Sequence, residues 1–297
     1  MANPVIGLIG GTGLGHALHA QLSGESIAVK TPFGPPSAPV LRGGWQGVDV
    51  AFLPRHGSHH TLPPTAVPYR ANIYALKSLG VTHIIASGAT GSLREELRPR
   101  DLVIPDQVID KTYRRVGTFF DEPGLAAHVE FSQPFCPALR ALLLKSGDAL
   151  DTTIHDGGTY VCMEGPAFST VAESRMHRAW GGDLIGMTCM PEAKLAREAE
   201  ICYALVSLPT DYDCWRPHAA GVGGHELLKE IMGNVEAATA NSVLMIKSAL
   251  AAIAKSAPAP CRCQASLDLA IWTKPEAIDQ RLQERLGPIL TRFCSKP

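Results

Sequence analysis

The acidic doublet in PTDYDCW, residues 209–215, is the most pointed chemical feature of this chain, because Asp is disfavoured in strands and yet Asp211 and Asp213 follow an apolar run. A carboxyl group beside a purine can bond N7 and the exocyclic amine, and protonating N7 makes the base a far better leaving group. Four other segments offer the complementary chemistry, the holding of an oxyanion. IGGTGLG, residues 9–15, sets glycine amides and the Thr12 hydroxyl after an apolar run, as a phosphate nest requires. PRHGSHH, residues 54–60, supplies Arg55, whose guanidinium can fork two hydrogen bonds onto an oxyanion, and His56 as a further donor. SGATGSLREEL, residues 87–97, reads as strand, small residues and helix, so that amides and the hydroxyls of Ser87, Thr90 and Ser92 address a phosphate or ribose oxygen at a helix N-terminus. In GMTCMPEAKLAREAE, residues 186–200, Thr188 could serve as a further phosphate donor and Met187 could pack on a sugar, both expected at the crevice edge where open α/β sheets bind ligands. Each segment also has a plain structural reading: a glycine turn, a salt-bridged surface Arg, a Ser92–Glu95 capping box, a core methionine.

Several classes are excluded. The first loop has His16 where a G-x-G-x-x-G dinucleotide loop needs glycine, and it lacks the Lys of a P-loop. No G-x-S-x-G nucleophile segment occurs. His56, His59 and His60 match no familiar metal spacing and have no neighbouring carboxylates, so no metal is expected there. Eight cysteines in 297 residues are too sparse for a disulfide scaffold, and Cys136, Cys162, Cys189 and Cys202 sit in apolar stretches as reduced core residues. Cys261 and Cys263 form a C-x-C pair in SAPAPCRC that permits redox chemistry or metal capture, but the motif lacks the second Cys or His pair of a zinc site. A net charge of -1 provides no positive field for nucleic acid or an anionic membrane. With no secretory signal at the start and apolar stretches only strand-length, a cytoplasmic protein is expected.

These segments need a scaffold, and short β-branched runs alternating with helical patterns predict an α/β domain. Strands are expected at Val5 to Ile9, Val48 to Pro54, His83 to Ser87, Asp101 to Pro105, Gly158 to Met163, Asp183 to Thr188 and Ile201 to Leu208. Helices are expected at Tyr69 to Leu79, Pro191 to Ala199 and about His225 to Ala254, with a final helix from Lys274 to Phe293. The Pro-rich 257–260 stretch leaves too little beyond it for a second domain, which gives a domain over 1–255 and a helical extension over 256–297 packed on it.

Taken in order, GGTG, TPFGPPS (31–37), RHG, GSLREE, DQVID, PFCP, EGPAFS, MTCMPE and TDYDCW closely resemble the methylthioadenosine phosphorylase branch of the purine nucleoside phosphorylase family, over about residues 5 to 250. The resemblance implies a single α/β domain around a mixed, partly barrel-like sheet flanked by helices, assembled as a homotrimer or a dimer of trimers. It implies phosphorolysis of S-methyl-5'-thioadenosine, with inorganic phosphate as co-substrate and no cofactor. By motif, Thr12, Arg55, His56, Gly88, Ala89 and Thr188 would grip phosphate. Met187 would lie against the ribose, and Phe168, Ser169, Asp211 and Asp213 would surround the base, with Asp211 as the acid at N7. Leu228 and, from a neighbouring subunit, His128 would line the 5' pocket, while Ser169 and Gly224 would bear on specificity. Gly88 replaces a hydroxyl residue common in the family, so Thr90 or a water would take over that contact, and His225 beside Gly224 could broaden the 5' range. A phosphorylase for 6-oxopurine nucleosides or methylthioinosine is the nearest rival; a hydrolytic nucleosidase, a non-catalytic nucleotide-binding module and a dehydrogenase are further ones.

Overall fold

A computed structural model of the chain describes residues 4–11, 13–19, 21–217 and 223–294. In chain order the elements are β1 (Val5–Gly10), α1 (Leu14–His19), β2 (Gly24–Ile27), β3 (Val40–Trp45), β4 (Val48–Pro54), α2 (Tyr69–Ser78), β5 (Val81–Ser92), β6 (Leu102–Ile104), β7 (Gln107–Lys111), α3 (Pro137–Gly147), β8 (Ile154–Asp156), β9 (Thr159–Met163), α4 (Val171–Ala179), β10 (Leu184–Gly186), α5 (Cys189–Glu198), β11 (Cys202–Asp211), α6 (Gly224–Lys255), α7 (Gln280–Leu286) and α8 (Thr291–Cys294). The apolar runs of β1, β4, β5 and β11 are buried on both faces, as strands of a parallel sheet covered by helices must be. These four strands lie side by side and parallel in the order β4-β1-β5-β11, so their C-terminal ends open onto one crevice.

β5 is the pivot of the sheet. Its first half pairs with β1, β11 pairs with it from His83 to Gly91, and its far end pairs antiparallel with β10 through Ser92↔Leu184 and Gly91↔Ile185. Two branches leave it, β10-β9-β7 on one side and β11-β6-β8 on the other. β8 runs on into β9 through only Gly157 and Gly158, so the chain passes directly from one branch to the other.

This pairing corrects the expected course of residues 87–97. The strand continues through Gly88, Ala89, Thr90 and Gly91 to Ser92, and no helix follows. Ser92 caps nothing; its hydroxyl donates to the Arg94 carbonyl and accepts from the Arg94 amide. The ladders to β10 and β11 satisfy the backbone of a glycine-rich stretch that would otherwise favour a turn, so tertiary pairing overrides local propensity.

The expected helix over Lys274 to Phe293 is likewise broken. Asp279 starts α7 by accepting from the Arg281 amide, and Gly287, at φ 38°, ends it ahead of Pro288, which cannot donate to the preceding turn. Leu267, Ile278, Leu282, Leu286 and Ile289 nevertheless join the apolar cluster that holds Ile9, Leu53, Ile73 and Ala86 on one face of the sheet. The opposite cluster holds Ile6, Leu8, Phe52, Ile85 and Val206 with Met245, Ile246, Leu250 and Ile253 of α6. α6 is long and apolar enough to cross a membrane by composition, a length of pattern that the strand-sized apolar runs do not reveal. Its buried side, from Val235 to Ile253, is spent on the core.

Candidate active site

The oxyanion end of the crevice is built where β1, β4 and β5 stop. Arg55, the first residue beyond β4, is completely buried, and its amide donates to the Gly10 carbonyl at 2.9 Å. Its guanidinium does not project a free fork. Nε and Nη2 donate to the two carboxylate oxygens of Glu192, each at 2.7 Å, and Nη1 donates to the Ser87 carbonyl at 2.8 Å. Burial lowers the Arg55 pKa, but the charge and hydrogen bonds of Glu192 more than reverse this, so the cation is permanent. Nη1 faces the glycine loops: a Cβ at Gly11 would sit 2.8 Å from it and 2.9 Å from the Ser87 carbonyl, so only glycine allows this approach. A Cβ at Gly88 would lie 3.6 Å from Thr188 Oγ1 and 4.0 Å from Arg55 Nη1. Gly11, Arg55, Gly88 and Thr188 therefore share one small cradle, beside which the hydroxyls of Ser87 and Thr90 are buried without a hydrogen-bond partner among the described residues. Ala89 follows in β5, in register with Leu208, and Thr12 lies outside the described residues.

His56 is oriented by its own loop. Its Nδ1 lies 2.8 Å from the Leu62 carbonyl, which only accepts, so Nδ1 carries the proton. Burial, then the neighbouring Arg55 charge, bring its pKa down from 6.5 to about 4, and His60 stacks on the ring at 4.5 Å. At neutral pH the ring is thus uncharged, and Nε2 is an acceptor rather than the donor that the residue type suggested. Because the folded pKa lies below the unfolded one, the neutral ring's contribution to stability is complete above pH 6.5 and is lost as pH falls through 4. Urea midpoints should therefore fall over that window less steeply in His56→Asn than in the native chain; parallel profiles would dismiss His56 as the source.

At the other end, β11 delivers Asp211 as its last residue. One Asp211 oxygen accepts from the Thr210 hydroxyl at 2.8 Å and the other from the Asp213 amide at 2.9 Å. Asp213 stands at φ 49°, and its carboxylate accepts a short hydrogen bond from the buried Ser174 hydroxyl of α4. The Thr210 carbonyl is in turn held by Asn234 of α6 at 2.8 Å. Two carboxylates are thus fixed side by side, each by donors from its own turn or a packed helix. Cys214, in the same turn, donates to the Ser169 carbonyl at 3.2 Å, which places the EGPAFS loop against the acidic pair. Phe168, on the same loop, is 85 % exposed.

Thr188 stands at the cradle beside Gly88, Met187 lies against Gly165 of the EGPAFS loop, and Arg115 holds this segment. It is almost wholly buried, donates to the Met187 and Met190 carbonyls at 2.5 and 2.7 Å, and pairs with Glu164 at 3.0 Å. Arg115, Glu164, Glu192, Ser174 and Asn234 were not legible as site residues in the sequence. Glu192 alone left a signal, as an acidic residue next to Pro191 in an otherwise apolar buried run. Leu228 and Gly224 lie exposed on the first turns of α6, as does His225. His128 is not in this chain's crevice: its ring packs on Trp272 at 5.0 Å and its amide donates to Ala270 of the C-terminal extension.

Along β5, then, the buried Arg55 cation adjoins Gly88 and the Asp211–Asp213 turn adjoins Gly91, an arrangement that defines a nucleoside-type phosphorylase. The chain belongs to the phosphorylase superfamily, whose profile matches residues 5–251. Over 97 % of its length it is 46 % identical to the S-methyl-5'-thioadenosine phosphorylase of Gloeobacter violaceus, spanning 95 % of that protein. Its structure is similar, at TM-score 0.87 and 45 % identity, to a methylthioadenosine phosphorylase sourced from an antarctic soil metagenomic library, over 97 % of this chain and 100 % of that one. The methylthioadenosine phosphorylase of Schistosoma mansoni in complex with adenine is similar at TM-score 0.76 and 35 % identity, over 85 % of this chain and 93 % of that one.

Proposed function

We propose that the chain catalyses the reversible phosphorolysis of S-methyl-5'-thioadenosine to adenine and 5-methylthioribose 1-phosphate, a pentosyl transfer of purine and methionine salvage. What supports this is that β5 brings both groups together: Gly88 adjoins Arg55 and Thr188, and three residues on Gly91 adjoins Asp213 and is in register with Asp211. Phosphate in the cradle meets the Arg55 charge, the amides of Gly88 and Ala89, and the hydroxyls of Thr188, Ser87 and Thr90, with Thr12 completing the loop. His56 Nε2 accepts from the phosphate hydroxyl, which leaves the other oxygens to attack C1'. As the bond from C1' to the purine breaks, positive charge on the ribose is flanked by phosphate, and Asp211 steadies the proton that the departing base gains at N7. The proton lost by phosphate balances the one gained by adenine, so no cofactor is consumed.

Two carboxylates suit the donor amine of adenine and repel the lone pairs of a 6-oxo group, which favours an aminopurine. Leu228, Gly224 and the His128 of a second copy line the 5' pocket, with Ser169 and Phe168 closing on the base. From its likeness to the family the chain is taken to assemble as a homotrimer or a dimer of trimers, in the cytoplasm. Base release from methylthioadenosine, adenosine and inosine, each with and without phosphate, tests the reading. Adenine should appear from methylthioadenosine only with phosphate; release without it would make the enzyme a hydrolase, and preferred cleavage of inosine would make it a 6-oxopurine phosphorylase.

A further inference from the structure

Four cysteines that the reaction does not use are gathered at the end of β11 remote from Asp211. Cys202 is the first residue of β11, Cys136 immediately precedes α3, and Cys261 and Cys263 follow the Pro-rich stretch that ends α6. The four Sγ atoms all lie within 4.8 Å of one another, with Cys136 to Cys261 at 3.4 Å and Cys261 to Cys263 at 3.5 Å. A disulfide needs sulfurs about 2.0 Å apart, so these are separate thiols. Four sulfurs at about 2.3 Å from a central ion stand about 3.8 Å from each other in a tetrahedron, which is the scale of this cluster. Cys136, Cys202 and Cys263 are buried and Cys261 is half-buried, so an ion here would be enclosed by protein with no open position for a substrate. The donors are all sulfur, which selects a thiophilic ion such as zinc over magnesium or calcium.

We propose that Cys136, Cys202, Cys261 and Cys263 bind one tetrahedral zinc ion that pins the C-terminal extension to the sheet. Fold, rather than spacing, supplies the second pair that the C-x-C motif lacks: Cys136 and Cys202 are joined by the Cys136 amide donating to the Tyr203 carbonyl at 2.8 Å. Each thiol exchanges its proton for a bond to the metal, so four thiols release four protons and no electron moves. The cluster and Asp211 sit at opposite ends of the ten-residue β11, on the order of 30 Å apart at about 3.3 Å per residue, so the role is structural.

The full chain, reduced and stripped with a chelator, is titrated anaerobically with cobalt(II) as a spectroscopic probe and then with zinc. One equivalent per chain should saturate the intense visible bands of a tetrahedral thiolate site, zinc should abolish them, and zinc should raise the melting temperature by roughly 10 °C. Cys261→Ser, at the half-buried position, should lose the bands and most of the zinc-dependent shift while turnover on the nucleoside stays within about twofold. The proposal is overturned if cobalt gives no tetrahedral bands, if Cys261→Ser binds as tightly as the native chain, or if the protein as isolated carries no metal and is lighter by four hydrogens, the mass of two disulfides. Because metal binding is read without substrate, these outcomes are independent of whether the chain is a phosphorylase.

Discussion

Asp211→Ala is expected to lower turnover by roughly 10²- to 10⁴-fold, the span typical of a lost general acid, while the phosphate KM moves little. The separation of the two effects follows from the proposed roles: Asp211, at the end of β11, is assigned to the base, whereas Arg55 and the glycine loops, where β4, β1 and β5 stop, are assigned to phosphate. Asp211→Asn is the sharper variant, since it keeps the size and the acceptor for Thr210 or Asp213 but cannot hand a proton to the purine. Removing the carboxylate also takes the acceptor from the Asp213 amide, at a cost of about 1–3 kcal/mol, while the Thr210 hydroxyl keeps the Thr90 carbonyl at 3.3 Å. Urea unfolding run beside the rate measurements shows whether the loss is chemical. Native-like turnover in both variants would take Asp211 out of the mechanism.

The second large effect falls on stability as much as on phosphate. Arg55 and Glu192 are both fully buried and bonded edge to edge, with the Tyr203 hydroxyl on the same carboxylate at 2.8 Å. Removing either partner leaves an uncompensated charge in the core, so Arg55→Ala and Glu192→Ala should each destabilise the chain by about 3–5 kcal/mol. A reading of Arg55 as a freely offered phosphate fork predicts instead a raised phosphate KM with native stability. The double replacement Arg55→Met with Glu192→Leu decides between them. It should recover most of the stability lost by the single variants, because no lone charge remains, yet its phosphate KM should stay at least tenfold raised, because the cradle has lost its cation. Additive losses of stability would show that the pair does not act as a unit.

Much of the candidate site is legible in residue type and order. Short strands ending in glycine, Arg-His or Asp announce themselves because the strand period and the disfavoured residue at its end are both local facts, and so Gly11, Arg55, Thr188, Asp211 and Asp213 stood out. The residues that orient them were silent. Glu192 lies 137 positions from the arginine it neutralises, and Ser174 lies 39 from the aspartate it holds, so neither pairing has a sequence period to betray it. The run at 87–97 looked like a loop entering a helix because its glycines are poor strand formers, and only the neighbours β10 and β11 made it a strand.

The amino-acid order alone determined which stretches become central strands, which carry residue types suited to phosphate and purine chemistry, and that α6 presents an apolar side, since each depends on spacing within a few turns or residues. Tertiary structure decided what those groups can do. It occupied the Arg55 fork, turned the imidazole of His56 into a neutral acceptor, and closed four distant thiols on one point. Such outcomes depend on which charges and dipoles become neighbours after water has been excluded, and that is set by packing across the sheet rather than by distance along the chain.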